Sequence, residues 1–146
     1  MKMALAIILS ALLAAAAMLG LALAPAGSAQ DEGMEKTKLA VVWSSGDPEV
    51  AHKVCFMYTH NAKLRGWFDE VTLIVWGPSS KLLTEDASLQ EKIKAMAADG
   101  VTLTACLACA DMYGVSDKLR ALGVDVKYMG VPLTEMLQGG WKVLTF

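Results

Sequence analysis

Cys106 and Cys109 stand three positions apart in "TACLACADMYGV", residues 104 to 115, and Cys55 is the only other cysteine among the 146 residues. A thiol pair at this spacing can do three kinds of chemistry. One thiolate can attack a sulfur atom while the second thiol resolves the mixed disulfide or persulfide. The two can close a reversible Cys106–Cys109 disulfide. They can also share a soft metal, and Met112 completes a Cys-x-x-Cys-x-x-Met set suited to Cu(I). A purely structural bridge explains the pair poorly, because so short a loop constrains the unfolded chain very little. An odd cysteine total also does not staple a domain of this size. Both thiols could instead be small core residues, since free cysteine is among the most buried side chains. That is the expected place of Cys55.

The chemistry depends on what positions the pair. "VTLTAC" reads as a strand, and "LACADMYG" has the length of one or two helical turns closed by Gly114. Cys106 then occupies an N-cap-like position, with Cys109 one turn on. Partial positive charge at a helix start favours thiolate over thiol and can bring a cysteine pKa below its usual ~8.5. Cys106 is therefore the expected nucleophile and Cys109 its assistant. His52 falls almost opposite the apolar centre of its helix and is expected to be solvated without a special role, whereas His60 lies nearer the edge and could titrate beside the site. Met112 is expected to be core filler unless the copper reading holds. Trp43 and Trp76 each close a strand and are expected to seat the sheet against a helix or a neighbouring subunit.

Short β-branched runs alternate with helical periods along the rest of the chain. "KLAVVWSS", "EVTLIVWGP", "VTLTAC", "VDVKYMG" and "WKVLTF" are five expected strands. Between the first two, "GDPEVAHKVCFMYTHNAKLRG" reads as a helix with Asp47 as N-cap and Pro48 at its first position. Its apolar stripe is expected to run through Val50, Val54, Met57, Tyr58, Asn61 and Leu64, and Gly66 ends it. "SLQEKIKAMAADG" is a second helix, with Leu89, Ile93, Met96 and Ala97 inward and Gly100 as cap. "SDKLRALG" and "PLTEMLQGG" supply shorter helical turns. Strands separated by helices imply parallel pairing through right-handed crossovers. The fold class is α/β, an open three-layer α/β/α sandwich around a mainly parallel five-stranded sheet with helices on both faces. Ligand sites in such sheets lie at the C-terminal strand ends, near a switch in strand order. No Gly-rich phosphate-binding loop follows the first strand, and Pro48 removes an amide there. A nucleotide is disfavoured, and no cofactor is expected.

The opening "MKMALAIILSALLAAAAMLGLALAPAGSAQ" differs from everything after it, with one Lys, no acid and a Leu/Ala/Met core. It reads as a secretory signal over residues 1–29, cleaved after Ala26 or Ala29. An uncleaved membrane anchor is the competing reading. Residues 30–36 form a polar spacer and 37–146 one domain. The mature chain is expected to be periplasmic or secreted, soluble and free of the membrane. Removing Lys2 with the signal changes 13 basic and 15 acidic residues to 12 and 15, a net charge of −3. No basic stripe appears that could displace counterions from phosphates, so nucleic acid is not expected as a partner.

The mature sequence resembles the DsrE/DsrF-like family over nearly all of residues 37 to 146. The resemblance rests on the first strand with its Gly-Asp-Pro turn, the third strand ending in cysteine, Gly114 eight positions later, and "MGVPLTEMLQGGWKVLTF". In sulfur-relay members of that family a cysteine at the end of this strand accepts persulfide sulfur, and Cys106 is the matching position. The resemblance thus implies a sulfur carrier or sulfurtransferase that works without cofactor, with donor and acceptor proteins or small thiols as partners. It also implies a homo-oligomer, since relatives form trimers or hexamers, and Trp43, Trp76 and Trp141 could supply aromatic interface area. Cys109 departs from the one-cysteine pattern, and the signal departs from the cytoplasmic setting of the relay members. The rival readings are a dithiol oxidoreductase, a copper-binding protein using Cys106, Cys109 and Met112, and a thiol-inert oligomeric binding module.

Overall fold

The computed structural model describes residues 37–146; the segment expected to be a signal and the expected spacer lie outside the described residues. Five strands form, at β1 (Lys38–Trp43), β2 (Glu70–Val75), β3 (Thr102–Cys106), β4 (Asp125–Lys127) and β5 (Lys142–Thr145). They make one sheet in the order β4-β3-β2-β1-β5. Every pairing is parallel, from Lys38 opposite Glu70 to Cys106 opposite Lys127. The mainly parallel sheet expected from the sequence is therefore parallel throughout, as helical crossovers between all consecutive strands require.

The helices between strands are α1 (Pro48–Val50), a π-helical segment (Ala51–Cys55), α2 (Phe56–Leu64), α3 (Pro78–Glu85), α4 (Ala87–Ala98), α5 (Leu107–Met112), α6 (Ser116–Ala121) and α7 (Gly130–Gln138). Asp47 caps α1 as expected, its Oδ1 accepting from the Glu49 amide at 2.7 Å, and Pro48 occupies the first position. Gly66 and Gly100 take positive φ just beyond α2 and α4. Helix α3, between β2 and α4, is absent from the helices expected from sequence. Its start signal is nonetheless present: Gly77 is the N-cap and Pro78 stands in the first turn.

The apolar stripe of the first helical stretch is one residue out from its expected place. Ala51, Cys55, Phe56, Thr59 and Ala62 are buried, while Val54, Met57 and Leu64 are exposed. A π turn closes on i→i+5 bonds and holds more residues than an α turn, so it shifts the phase of the α-helical turns after it. The shift brings Phe56 onto Trp43, their rings edge to face at 4.8 Å. That geometry stabilises an aromatic pair by about 0.5–1.5 kcal/mol beyond its buried area. Trp43 is fully buried, so it seats the sheet against a helix and is not free to reach a neighbouring subunit.

The two faces of the sheet are dressed unequally. Leu39, Val41, Trp43, Val71, Leu73, Val75, Leu103 and Ala105 point to one side, where they pack with side chains from the π-helical segment and α2 to α6. Ala40, Val42, Ile74 and Cys106 point to the other, where α7 and its N-cap Met129 provide the cover. Helix α7 buries none of its own residues. Leu133 and Met136 only partly cover that cluster, helped by Trp76 and Trp141.

Candidate functional site

Cys106 ends β3 and serves as N-cap of α5, with φ −72° and ψ 112°. Its backbone is still extended while the next residue is helical, which turns the chain sharply at the thiol. Gly114 takes positive φ after α5, closing this short element as the sequence suggested. Both thiols sit on the thinly covered face, Cys106 at 5% exposure and Cys109 at 7%. All three cysteines are free thiols in the structure.

The two thiols share one buried cluster, with Cys109 one turn beyond Cys106 along α5. Burial pushes the Cys109 thiol pKa up, and its hydrogen bond to Cys106 pushes it further. The backbone N–H of Gly77 donates to the same sulfur and opposes that rise in part. Two residues back along β3, the buried Thr104 hydroxyl has no protein partner. On the neighbouring strand Lys127 stands opposite Cys106, but its ammonium is bound to the Asp125 carboxylate at 2.6 Å.

The turn that carries Gly77 escaped the sequence reading. Gly77 has φ 70° and ψ −133°, a region that side-chain-bearing residues enter only with strain. One hydroxyl fixes the turn: Ser79 Oγ donates to the Trp43 carbonyl at 2.5 Å and accepts from the Trp76 amide at 3.0 Å. Ser79 is fully buried and so ties the ends of β1 and β2 together beneath Gly77. The signal available in sequence was the Gly-Pro-Ser triplet directly after a strand, which fits a tight turn into a helix.

The other candidates lie elsewhere. Cys55 is buried on the opposite side of the sheet, packed with Trp43 and Phe56, and desolvation pushes its thiol up to about 12 against a weaker opposing bond from Thr59. It does not approach the pair. His60 does not reach the thiols either; its Nε2 lies 2.7 Å from Asp99 Oδ2, at the far end of α4. His52 is half-buried rather than solvated, its Nε2 lying 3.0 Å from Ser88 Oγ in the first turn of α4. Both histidines line a cleft of about 420 Å³ with Phe56 and Lys92. Met112 is 77% exposed, which corrects its assignment to the core. Among the described residues no cluster of three or more His, Cys, Asp or Glu could hold a metal, so a copper set would depend on that solvent-facing thioether.

The cysteines do not sit at the switch in strand order. The chain runs outward from β1 to β4 and returns to place β5 beside β1, so the switch lies between β1 and β5. That crevice is filled by backbone: the Phe146 carbonyl accepts from the Ser44 and Ser45 amides at 2.7 and 3.1 Å. The thiols stand two strands away, at the β2/β3 end. Among the described residues no helix is long and apolar enough to cross a membrane.

Comparison with known proteins agrees with this architecture. A conserved protein of unknown function from Bacteroides thetaiotaomicron, BT1422, is 38% identical, with a TM-score of 0.72 over 75% of this chain and 94% of that one. The ychN protein from E. coli matches at a TM-score of 0.61 and 18% identity, over 75% of this chain and 99% of its own, and that likeness concerns the fold alone. No curated protein matches. The model of the DsrE/DsrF-like family matches residues 3–146. With a parallel five-stranded sheet and a cysteine closing its third strand, the chain belongs to the DsrE/DsrF-like family, which is generally linked to sulfur relay.

Proposed function

We propose that this is an exported sulfur-handling protein in which Cys106 carries sulfane sulfur as a persulfide and Cys109 assists its release. In loading, the Cys106 thiolate attacks the outer sulfur of a donor persulfide, and the donor thiol departs with the electron pair of the broken S–S bond. In unloading, an acceptor thiolate attacks the outer sulfur on Cys106, which leaves as thiolate. Donor and acceptor are proteins or small thiols. The observation that carries the reading is the placement of two buried thiols in one cluster at a strand-to-helix junction, Cys106 as the N-cap of α5 and Cys109 one turn on. An isolated core cysteine has no use for such a neighbour.

One measurement tests location and chemistry together: the intact mass of protein recovered from the exported fraction without reductant or chelator. The expected product begins near Gly27 or Gln30 and, directly after reduction and donor treatment, carries one extra sulfur that cyanide removes as thiocyanate. A chain retaining Met1 in the membrane fraction would overturn the exported form. A chain that forms the disulfide but, once reduced, gains no sulfur on donor treatment would favour the dithiol oxidoreductase, and a retained copper ion would favour metal binding.

A homo-oligomer belongs to the same proposal. Tyr128, Val131 and Leu137 are exposed on and beside α7, over the poorly covered face. Light scattering is expected to give a multiple of the monomer mass at micromolar concentration; a monomer there removes this part of the reading.

A further inference from the structure

The turn after β2 gives the thiol pair more than a passive carrier requires. A carrier that only hands sulfur to an external thiol needs one accessible cysteine. Here the second cysteine is buried in the same cluster as the first, one turn on along α5, and a backbone N–H acts on its sulfur. That amide is Gly77 N–H, at the N-cap of the eight-residue helix α3, presented by a glycine-only conformation. The Ser79 hydroxyl locks the conformation by bonding the Trp43 carbonyl and the Trp76 amide. A buried sulfur with a preorganised donor is a place where negative charge can grow without water.

We propose, resting on the persulfide reading above, that Cys109 discharges the sulfur itself: its Sγ attacks the Cys106 Sγ of the loaded persulfide and expels the outer sulfur as hydrosulfide. A Cys106–Cys109 disulfide remains. The Gly77 amide stabilises charge on Cys109 Sγ during the attack, and Ser79 is the positioning residue for that amide. The step balances as Cys106–S–S⁻ plus Cys109–SH giving the disulfide plus HS⁻. The bond between Cys106 Sγ and the outer sulfur breaks with its electron pair going outward. The bond between the two Sγ atoms forms, and the Cys109 proton ends on the departing sulfur. An external dithiol reductant must then supply two electrons and two protons to restore the pair. Spacing supports closure, since an N-cap cysteine and a residue one turn on the same helix are within disulfide reach.

The test uses the full mature chain, reduced, loaded with inorganic polysulfide and stripped of excess by gel filtration. Free sulfide and intact mass are then followed without added thiol. Wild type is expected to release one sulfide per loaded chain while its mass moves from one extra sulfur to a loss of two hydrogens. Cys109→Ser is expected to carry the sulfur and release none. Ser79→Ala is expected to take up sulfur yet release it on the order of tenfold more slowly, less than the 10²–10³ lost when a direct anion donor is removed. The thermal midpoint of each variant is read alongside, so that a general loss of folding is distinguished from lost positioning. Wild type that keeps its sulfur with Cys109 still alkylatable overturns this inference and leaves the carrier intact. Failure of wild type and Cys109→Ser to load at all overturns both. Release from Ser79→Ala at the wild-type rate removes Ser79 from the mechanism.

Discussion

Cys106→Ser is expected to take up no sulfur from a persulfide donor, a complete loss rather than a graded one. A serine hydroxyl ionises far above the range of a thiol and is a poor nucleophile toward sulfur, so nothing at position 106 could open the donor's S–S bond. The loss should occur in a folded protein. Serine nearly preserves the volume, and position 106 is the N-cap of α5, where Cys106 makes no side-chain capping bond. Serine is a preferred N-cap because its oxygen can accept from the amides of the first turn. The thermal midpoint of the variant should therefore equal or exceed that of wild type while its loading, read by mass after donor treatment, is nil. Loading that survives in Cys106→Ser and disappears in Cys109→Ser would make Cys109 the nucleophile.

Wild-type stability is expected to fall steeply above about pH 9, and Cys55→Ala should lose most of that fall. In the folded chain the Cys55 thiol is raised to about 12 because ionising it would bury a charge beside Trp43 and Phe56. In the unfolded chain it returns to about 8.5. Between those values the unfolded state has released the proton and the folded state has not, so each pH unit favours unfolding by about 1.4 kcal/mol. Below the unfolded value the effect is absent. Across the window the sum approaches ~4 kcal/mol, a large share of the 5–15 kcal/mol that holds a typical domain together. Cys109, also raised, adds to the slope in the same direction. The comparison is urea unfolding of wild type and Cys55→Ala at pH 8 and pH 11. Curves that stay parallel across that range would show that Cys55 keeps no proton the unfolded chain has lost.

Where the sequence was legible, the reason is local. Period-two and continuous β-branched runs locate all five strands, and Asp47-Pro48, Gly66, Gly100 and Gly114 punctuate the helices by backbone chemistry that needs no tertiary partner. The cysteine pair was legible because strand end, helix start and thiol spacing coincide in one short stretch. What failed depended on packing. The buried stripe is set one residue along from Ala51 onward, where Phe56 meets Trp43, a choice that helical periodicity does not encode. Gly77 and Ser79 join the site only because β2 lies beside β3, with Val75 in register with Ala105, a pairing between segments far apart in the chain. The exposure of Met112 was likewise a matter of which side of α5 the sheet leaves uncovered.

The separation of Cys55 from the pair has a bearing on how the chain survives oxidation. Three cysteines allow three pairwise disulfides, and an unfolded chain meeting an oxidant can sample all of them, although loop closure favours the adjacent pair. Once the sheet forms, it stands as a partition: Cys55 lies beneath one face with Trp43, and Cys106 and Cys109 lie on the other with Ile74 and Met129. No thiol can cross a hydrogen-bonded sheet without breaking it. The two scrambled pairings are therefore excluded by the fold itself, and any intramolecular oxidation of the native protein is channelled into the single adjacent pair. An odd thiol, open to mispairing whenever a chain meets an oxidant, is rendered harmless by its side of the wall.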